Sequence, residues 1–285
     1  MEAFIDMEDQ NIEIRECLCC WYDLLGYGTP FVNSKWDLHN DECRKNYSRI
    51  ERLRLQFTSS WSVKPLGTKL AFNDGFASTI DINPITPETF HDALLFLEGI
   101  ITDYGSLNSE DKREGFPGAR GIITLGQRFS YDCCNSSYDL LSNRTTSYHP
   151  VEFQMNTAFS KAFLMEESGS RAGITGSNLY IDIEVFHYIA KAAREIGCQT
   201  PQIKTVGDEL MVKIFAPGGW FADLEFECVP ILYKESLEYK NRGIETMLYR
   251  FKHMHSIIDD WSKEVAYQEA RPYSIMDSLA DEDTV

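Results

Sequence analysis

RECLCCWYDLLGYG, from Arg15 to Gly28, and TKLAFNDGFASTIDI, from Thr68 to Ile82, decide how this chain folds. The first is an apolar run that closes on Gly26-Tyr27-Gly28, the pattern of a core strand running into a turn. The second places Asn73-Asp74-Gly75 between two apolar runs, which is a strong hairpin signal. Each contributes one carboxylate at a strand end, Asp23 and Asp74. A hairpin that pairs beside the first strand brings both to one edge of a sheet.

Working outward, residues 34 to 57 read as helical, with Tyr47, Ile50, Leu53 and Phe57 on one face. Residues 87 to 104 read as a helix with a stripe of Phe90, Ala93, Leu94, Leu97, Ile101 and Tyr104. A charged loop at 106 to 118 leads to a strand at 119 to 125. Residues 132 to 150, rich in Ser, Asn, Tyr and Cys, read as an excursion or lid. A helix at 152 to 167 precedes a strand at 178 to 185, where Leu179, Ile181, Ile183 and Val185 alternate with polar residues. A short helix ends at Gly197. Beyond it, 202 to 231 reads as a hairpin turning at Pro217-Gly218-Gly219. A long helix is expected at about 233 to 266, then an acidic tail from Asp277. The expected class is α+β: a mixed, largely antiparallel sheet flanked by helices, with a C-terminal hairpin and long helix. Residues 1 to 197 would form the core, and residues 198 to 285 an appendage packed on it.

The chain has 285 residues, 43% of them hydrophobic, enough for one sizeable core. Its formal net charge of −17 argues against nucleic acid and anionic membrane as partners. No stretch reaches the roughly 18 apolar residues of a membrane span. The acidic start MEAFIDMEDQNIEIRE lacks the basic and apolar regions of a signal peptide, so a cytoplasmic location is expected. The eight cysteines include no CxxC pair and read as free buried thiols.

Asp23 and Asp74 are the candidate metal ligands, because two hard cations held by carboxylates serve in-line displacement at phosphorus. Gly26 and Gly28 let backbone approach a ligand closely. Arg120 begins a strand beside glycine, and its fork suits a base carbonyl or a phosphate. Arg128 and Lys69 are weaker cationic candidates. GSRAGITG, around Arg171, is no P-loop, and no Gly-x-Ser-x-Gly elbow is present.

The order of these motifs resembles the catalytic core of class III nucleotidyl cyclases over residues 15 to 190. Asp23 before Gly26-Tyr27 and Asp74 at a hairpin tip match the two metal aspartates of that family. Ala119-Arg120-Gly121-Ile122-Ile123-Thr124-Leu125-Gly126 and the helix from Met155 to Glu166 are similar to a bacterial subgroup that includes the pyrimidine cyclases of Pycsar anti-phage systems. The resemblance implies a homodimer with two Mg2+ or Mn2+ ions per site. Its substrate would be a nucleoside triphosphate, UTP being favoured over CTP, and its product a 3′,5′-cyclic monophosphate. Catalysis would rest on Asp23, Asp74 and Arg120, with substrate contacts from Gly26, Tyr27, Gly28, Lys69, Arg120, Asn156 and Lys161. Two departures stand out. Asn156 is followed four residues on by Ser160, where the family has an arginine, and Lys161 is the nearest cation. Leu70 occupies the position of the purine-reading lysine, with Lys69 one place off. A catalytically silent cyclase-fold module and a divergent purine cyclase therefore remain as alternatives.

Overall fold

The computed structural model describes residues 12–58, 66–131, 150–216 and 226–255. Its elements run β1 (Glu13–Leu24), α1 (Thr29–Asn33), α2 (Asp41–Thr58), β2 (Thr68–Phe72), β3 (Gly75–Asp81), α3 (Pro87–Arg113) and β4 (Ala119–Ser130). They continue with α4 (Thr157–Ser168), a 3-10 turn (Gly169–Ala172), β5 (Leu179–Asp182), α5 (Ile183–Glu195), β6 (Gln202–Val206), β7 (Glu209–Ala216), β8 (Phe226–Asn241) and β9 (Ile244–His255). All nine strands join one sheet in the order β2-β3-β1-β4-β5-β9-β8-β7-β6. Among the described strands only β4 and β5 pair in parallel. The expected α+β class is what the chain adopts.

β1 is central and buried on both faces, which explains its unbroken apolar run from Cys17 to Tyr22. Its even-numbered core residues, Leu18, Cys20 and Tyr22, join the large core beneath α2, α3 and α5. Cys17, Cys19 and Trp21 face the other way, into a smaller core covered by α4. α3 starts with a capping box: Thr89 N donates to Thr86 Oγ1 at 3.2 Å, and Thr86 N donates to Thr89 Oγ1 at 2.9 Å. Every residue of its expected stripe is buried. α4 begins where Asn156 Oδ1 accepts from Phe159 N at 2.8 Å.

Five readings need correction or qualification, the first being the charged loop expected at 106 to 118, which is helical as far as Arg113, the end of α3, with Leu107 and Asp111 buried. The long helix expected from residue 233 is the β8–β9 hairpin as far as His255. Tyr239 and Leu248 are buried, while Glu238 and Lys240 are half-buried or exposed, a period of two that a helix does not give. Arg242 and Gly243 have φ of 52° and 77°, the primed geometry of a tight hairpin turn. The expected hairpin at 202 to 231 turns first near Gly207, between β6 and β7. The Pro217-Gly218-Gly219 turn lies outside the described residues, as do most of the expected lid at 132 to 150 and the tail. The strand expected to reach Val185 stops at Asp182, whose carboxylate accepts from Glu184 N at 3.2 Å and so starts α5. On α2, Leu53 is buried but Tyr47 is 65% exposed, and the Phe57 side chain lies outside the described set.

The hydrogen-bonded sheet is continuous from the first half into the last: β9 pairs with β5 through Tyr180–Arg250, Ile181–Tyr249 and Asp182–Leu248. Among the described residues no helix is long and apolar enough to cross a membrane. The described cysteines Cys17, Cys19, Cys20, Cys43 and Cys198 are all free, and the first four are buried. Burial pushes the Cys17 thiol up to about 12, so it holds its proton at neutral pH.

Candidate functional site at the end of the central strands

Antiparallel pairing of β1 with both β3 and β4 puts Asp23 directly across from Gly75 on one side and Arg120 on the other. Cross-strand partners share a face, so Asp23, Gly75 and Arg120 all lie on the α4 side of the sheet. Leu24 N donates to the carbonyl of Asp74 at 3.1 Å, which fixes the β2–β3 hairpin tip beside the end of β1. Asn73 takes the left-handed conformation, φ 55°, that the tight turn demands. Its side-chain amide donates to Asp74 Oδ1 at 2.8 Å. The two sequence-predicted aspartates are therefore neighbours.

Close packing enforces this arrangement. A Cβ on Gly75 would sit 2.0 Å from the Trp21 ring, so only glycine fits opposite Asp23. Gly26, at φ 69°, turns the chain out of β1, and a Cβ there would crowd Pro117 at 3.2 Å. Gly28 has open space around it and φ −73°, so nothing in the fold demands glycine there.

A buried ion-pair cluster braces the same turn from below. Arg49 donates to both oxygens of Asp111, Nε to Oδ1 at 2.8 Å and Nη2 to Oδ2 at 2.7 Å. Its Nη2 also donates to the carbonyl of Leu25 at 3.0 Å. Asp111 accepts further from Arg52 at 3.3 Å and from Gly118 N at 3.0 Å. Asn46 Nδ2 donates to the carbonyl of Tyr27 at 2.7 Å. α2, α3 and the entry to β4 thus hold the backbone that follows Asp23.

The electrostatics converge on Asp23. Burial, then the charges of Glu166 and Asp74, push its carboxyl up to about 7, against the opposing pull of Arg120 and Arg49. Tyr27 lies close enough to Asp74 that burial and then that charge raise its phenol. Arg120, though across from Asp23, is engaged elsewhere. Its Nε donates to Glu166 Oε1 at 2.8 Å, and its Nη2 makes a shorter contact to the same oxygen. Nη2 also reaches the Glu166 carbonyl at 3.4 Å, and Nη1 the Ile174 carbonyl at 3.5 Å.

The other sequence-predicted residues lie away from this point. Lys69 pairs across β3 with Ser78, and Ser78 with Cys20, so it faces the α3 side. There its ammonium contacts Asp103 at 3.3 Å. Asn156 and Lys161 belong to the opposite end of the α4 face. Asn156 is 1% exposed and spends its amide on structure: Nδ2 donates to Thr79 Oγ1 at 3.2 Å and to the Glu152 carbonyl at 2.8 Å. Lys161 donates to the carbonyl of Leu125 at 3.1 Å. Arg128 is held by Asp81, Nε to Oδ1 at 2.6 Å and Nη2 to Oδ2 at 2.7 Å. Within one chain the aspartate pair gathers with Gly26, Tyr27 and Arg120, but not with Lys69, Asn156 or Lys161.

Glu166, Arg49 and Asp111 were not singled out from sequence as site residues. A signal existed for the two acids. Glu166 stands four residues after buried Ala162, and Asp111 four after buried Leu107, so each is an acid on an apolar helical stripe.

The donor set fits hard divalent cations. Asp23 and Asp74 supply two carboxylates, and neither has an ion-pair partner among the described residues. Among the described residues no group of three His, Cys, Asp or Glu side chains could hold a metal unaided. Water and a phosphate would have to complete the shell, the usual way Mg2+ is bound.

No protein-family model and no curated protein matches the sequence. Among solved structures the fold is similar to the guanylyl cyclase Cya2, with 11% identity and TM-score 0.42, over 87% of this chain and 96% of that one. It is similar also to the guanylyl cyclase domain of the RhoGC fusion protein from Blastocladiella emersonii, with 9% identity and TM-score 0.38, over 85% and 99%. A third is the guanylate cyclase domain of RhGC from Catenaria anguillulae in complex with GTP, with 9% identity and TM-score 0.34, over 85% and 100%. Similarities of this size carry no argument about what this chain does.

Proposed function

We propose that the chain is a nucleotidyl cyclase that converts a nucleoside triphosphate to its 3′,5′-cyclic monophosphate and pyrophosphate. One observation carries the reading: Asp23 at a strand end lies beside Asp74 at a hairpin tip, and among the described residues neither forms an ion pair with a cation of the protein. In the reaction the ribose 3′-oxygen attacks the α-phosphorus, the bond to the β-phosphate oxygen breaks, and the 3′-hydroxyl proton passes to solvent. Divalent cations held by Asp23 and Asp74 would lower the pKa of that hydroxyl and offset charge on the leaving pyrophosphate. The chain's own residues hold the geometry. Gly75 and Trp21 pack the strand ends, Gly26 turns the backbone aside, and the Arg49–Asp111 pair fixes the loop.

The finer reading is a pyrimidine substrate, UTP before CTP, in an anti-phage signalling role. It rests on the sequence resemblance and on Lys69, which faces α3 instead of the aspartates. Arg120 lies beside Asp23, at the end where phosphates and cations would sit, which favours a phosphate role for it over base reading. The separation of Asn156 and Lys161 from the aspartates fits a site shared between two chains of a homodimer.

One observation favours a silent cyclase-fold module instead. The Asn156 amide is already consumed by helix capping and by Thr79 and Glu152. Incubating the purified protein with ATP, GTP, UTP and CTP plus Mn2+ separates the readings. Cyclic pyrimidine product supports the full proposal, cyclic purine product supports cyclisation only, and no product with any of the four supports the silent module.

A further inference from the structure

Asp23 and Arg120 are cross-strand partners on one face, a spacing that a long arginine side chain can bridge, yet the ion pair of Arg120 is with Glu166 and none forms with Asp23. The guanidinium is turned along α4 to Glu166, which is buried and takes both Nε and Nη2. The backbone carbonyls of Glu166 and Ile174 hold its remaining edge. Three carboxylates and the Arg120 guanidinium therefore share this corner, and the Arg49 guanidinium, which also acts on Asp23, is committed to Asp111. Pairing Arg120 with Glu166 leaves two negative charges at the strand ends, whereas pairing it with Asp23 would leave one aspartate already neutralised. A divalent cation competes with a guanidinium for the same carboxylate oxygens, so which acid captures Arg120 decides how strongly the corner attracts a cation.

We propose that Glu166 is a positioning residue that keeps the Arg120 guanidinium off Asp23, leaving both aspartates open to a divalent cation. The inference rests on reading Asp23 and Asp74 as the cation-holding pair. It assigns Glu166 no contact with substrate. Its acid is needed because Arg120 would otherwise be free to turn to its own strand partner, Asp23.

The test uses the full chain without nucleotide and reads Mn2+ affinity by electron paramagnetic resonance. In Glu166→Gln, Arg120 is released to Asp23, and Mn2+ affinity falls about tenfold, the scale of one charge-assisted hydrogen bond. Glu166→Gln combined with Arg120→Ala regains the wild-type affinity, because the competitor is gone. A merely structural role for Glu166 would not be rescued in this way, since the double variant removes still more of the packing. Wild-type affinity in the single variant, or no recovery in the double variant, overturns the proposal. A crystal structure of Glu166→Gln separates this inference from the cyclase reading. Arg120 paired with Asp23 there supports the positioning role even if the protein makes no cyclic nucleotide. Arg120 still clear of Asp23 overturns it even if the protein is an active cyclase.

Discussion

Asp23 and Arg120 face each other across β1 and β4, but the cation of this pair is spent on Glu166, and the carboxylate is left with its neighbour Asp74. Like charges kept close in a half-buried corner cost stability. The arrangement is understandable where a cation arrives from outside the chain.

Replacing Asp23 or Asp74 by alanine is expected to abolish cyclisation while leaving the fold intact. For Asp23 the burial that raises its carboxyl also means that its charge opposes folding at neutral pH. Asp23→Ala should therefore melt no lower than wild type. Turnover assays with Mn2+ alongside thermal unfolding check both halves, and full activity in either variant removes the paired-aspartate reading.

Arg120→Ala separates a phosphate role from base reading. Beside Asp23, the guanidinium is placed to act on turnover, with an expected loss of about tenfold on the scale of a charged hydrogen bond of ~1.5–3 kcal/mol. The order of preference among UTP, CTP, ATP and GTP should not change. A variant that keeps its rate but loses its base preference would show that Arg120 reads the base.

Asp111 has the largest expected effect on stability. Asp111→Ala would strand the guanidinium of Arg49, which is 1% exposed, and remove the acceptor for Gly118 N. Breaking a buried pair by removing one partner costs about 3–5 kcal/mol. Urea unfolding should show that loss, and a change near zero would mean that the cluster contributes nothing net.

Asp182 supplies a pH dependence away from the site. Burial holds its carboxyl above the ordinary range, against the hydrogen bond that Thr246 Oγ1 donates at 2.6 Å. The native state therefore binds its proton more tightly than the unfolded chain does. The resulting stability is full below the ordinary carboxylate pKa and is lost as pH rises through the raised one. Asp182→Asn keeps the capping oxygen and removes the charge. Its stability relative to wild type should climb across that window, as read by urea unfolding at a series of pH values. A difference that stays flat with pH would rule out the titration.

Sedimentation tests the shared site. A homodimer at micromolar concentration is expected, with cyclisation lost on dilution to monomer. An active monomer would mean that Asn156 and Lys161 act, if at all, only through their own chain.

Local chemistry alone determined much of this protein. Asn73-Asp74-Gly75 between two apolar runs is a turn because of backbone conformation, and the stripe of α3 is a helix because its spacing buries one face; neither needs a distant partner. The C-terminal strands were legible in principle from Tyr239, Leu248 and the Arg242-Gly243 turn. Over short windows, though, their charged and apolar residues alternate at spacings that suit a helical period as well as a strand period, so the local pattern points to a helix. What only the tertiary structure decided is which face each residue serves. In a strand that choice flips with every residue and is set by register against partners far away in sequence. The register of β1 between β3 and β4 puts Arg120 beside Asp23, and through Ser78 it turns Lys69 away toward Asp103. The docking of α4 across the sheet brings in Glu166, because contacts between residues 46 positions apart leave no periodic trace in the chain.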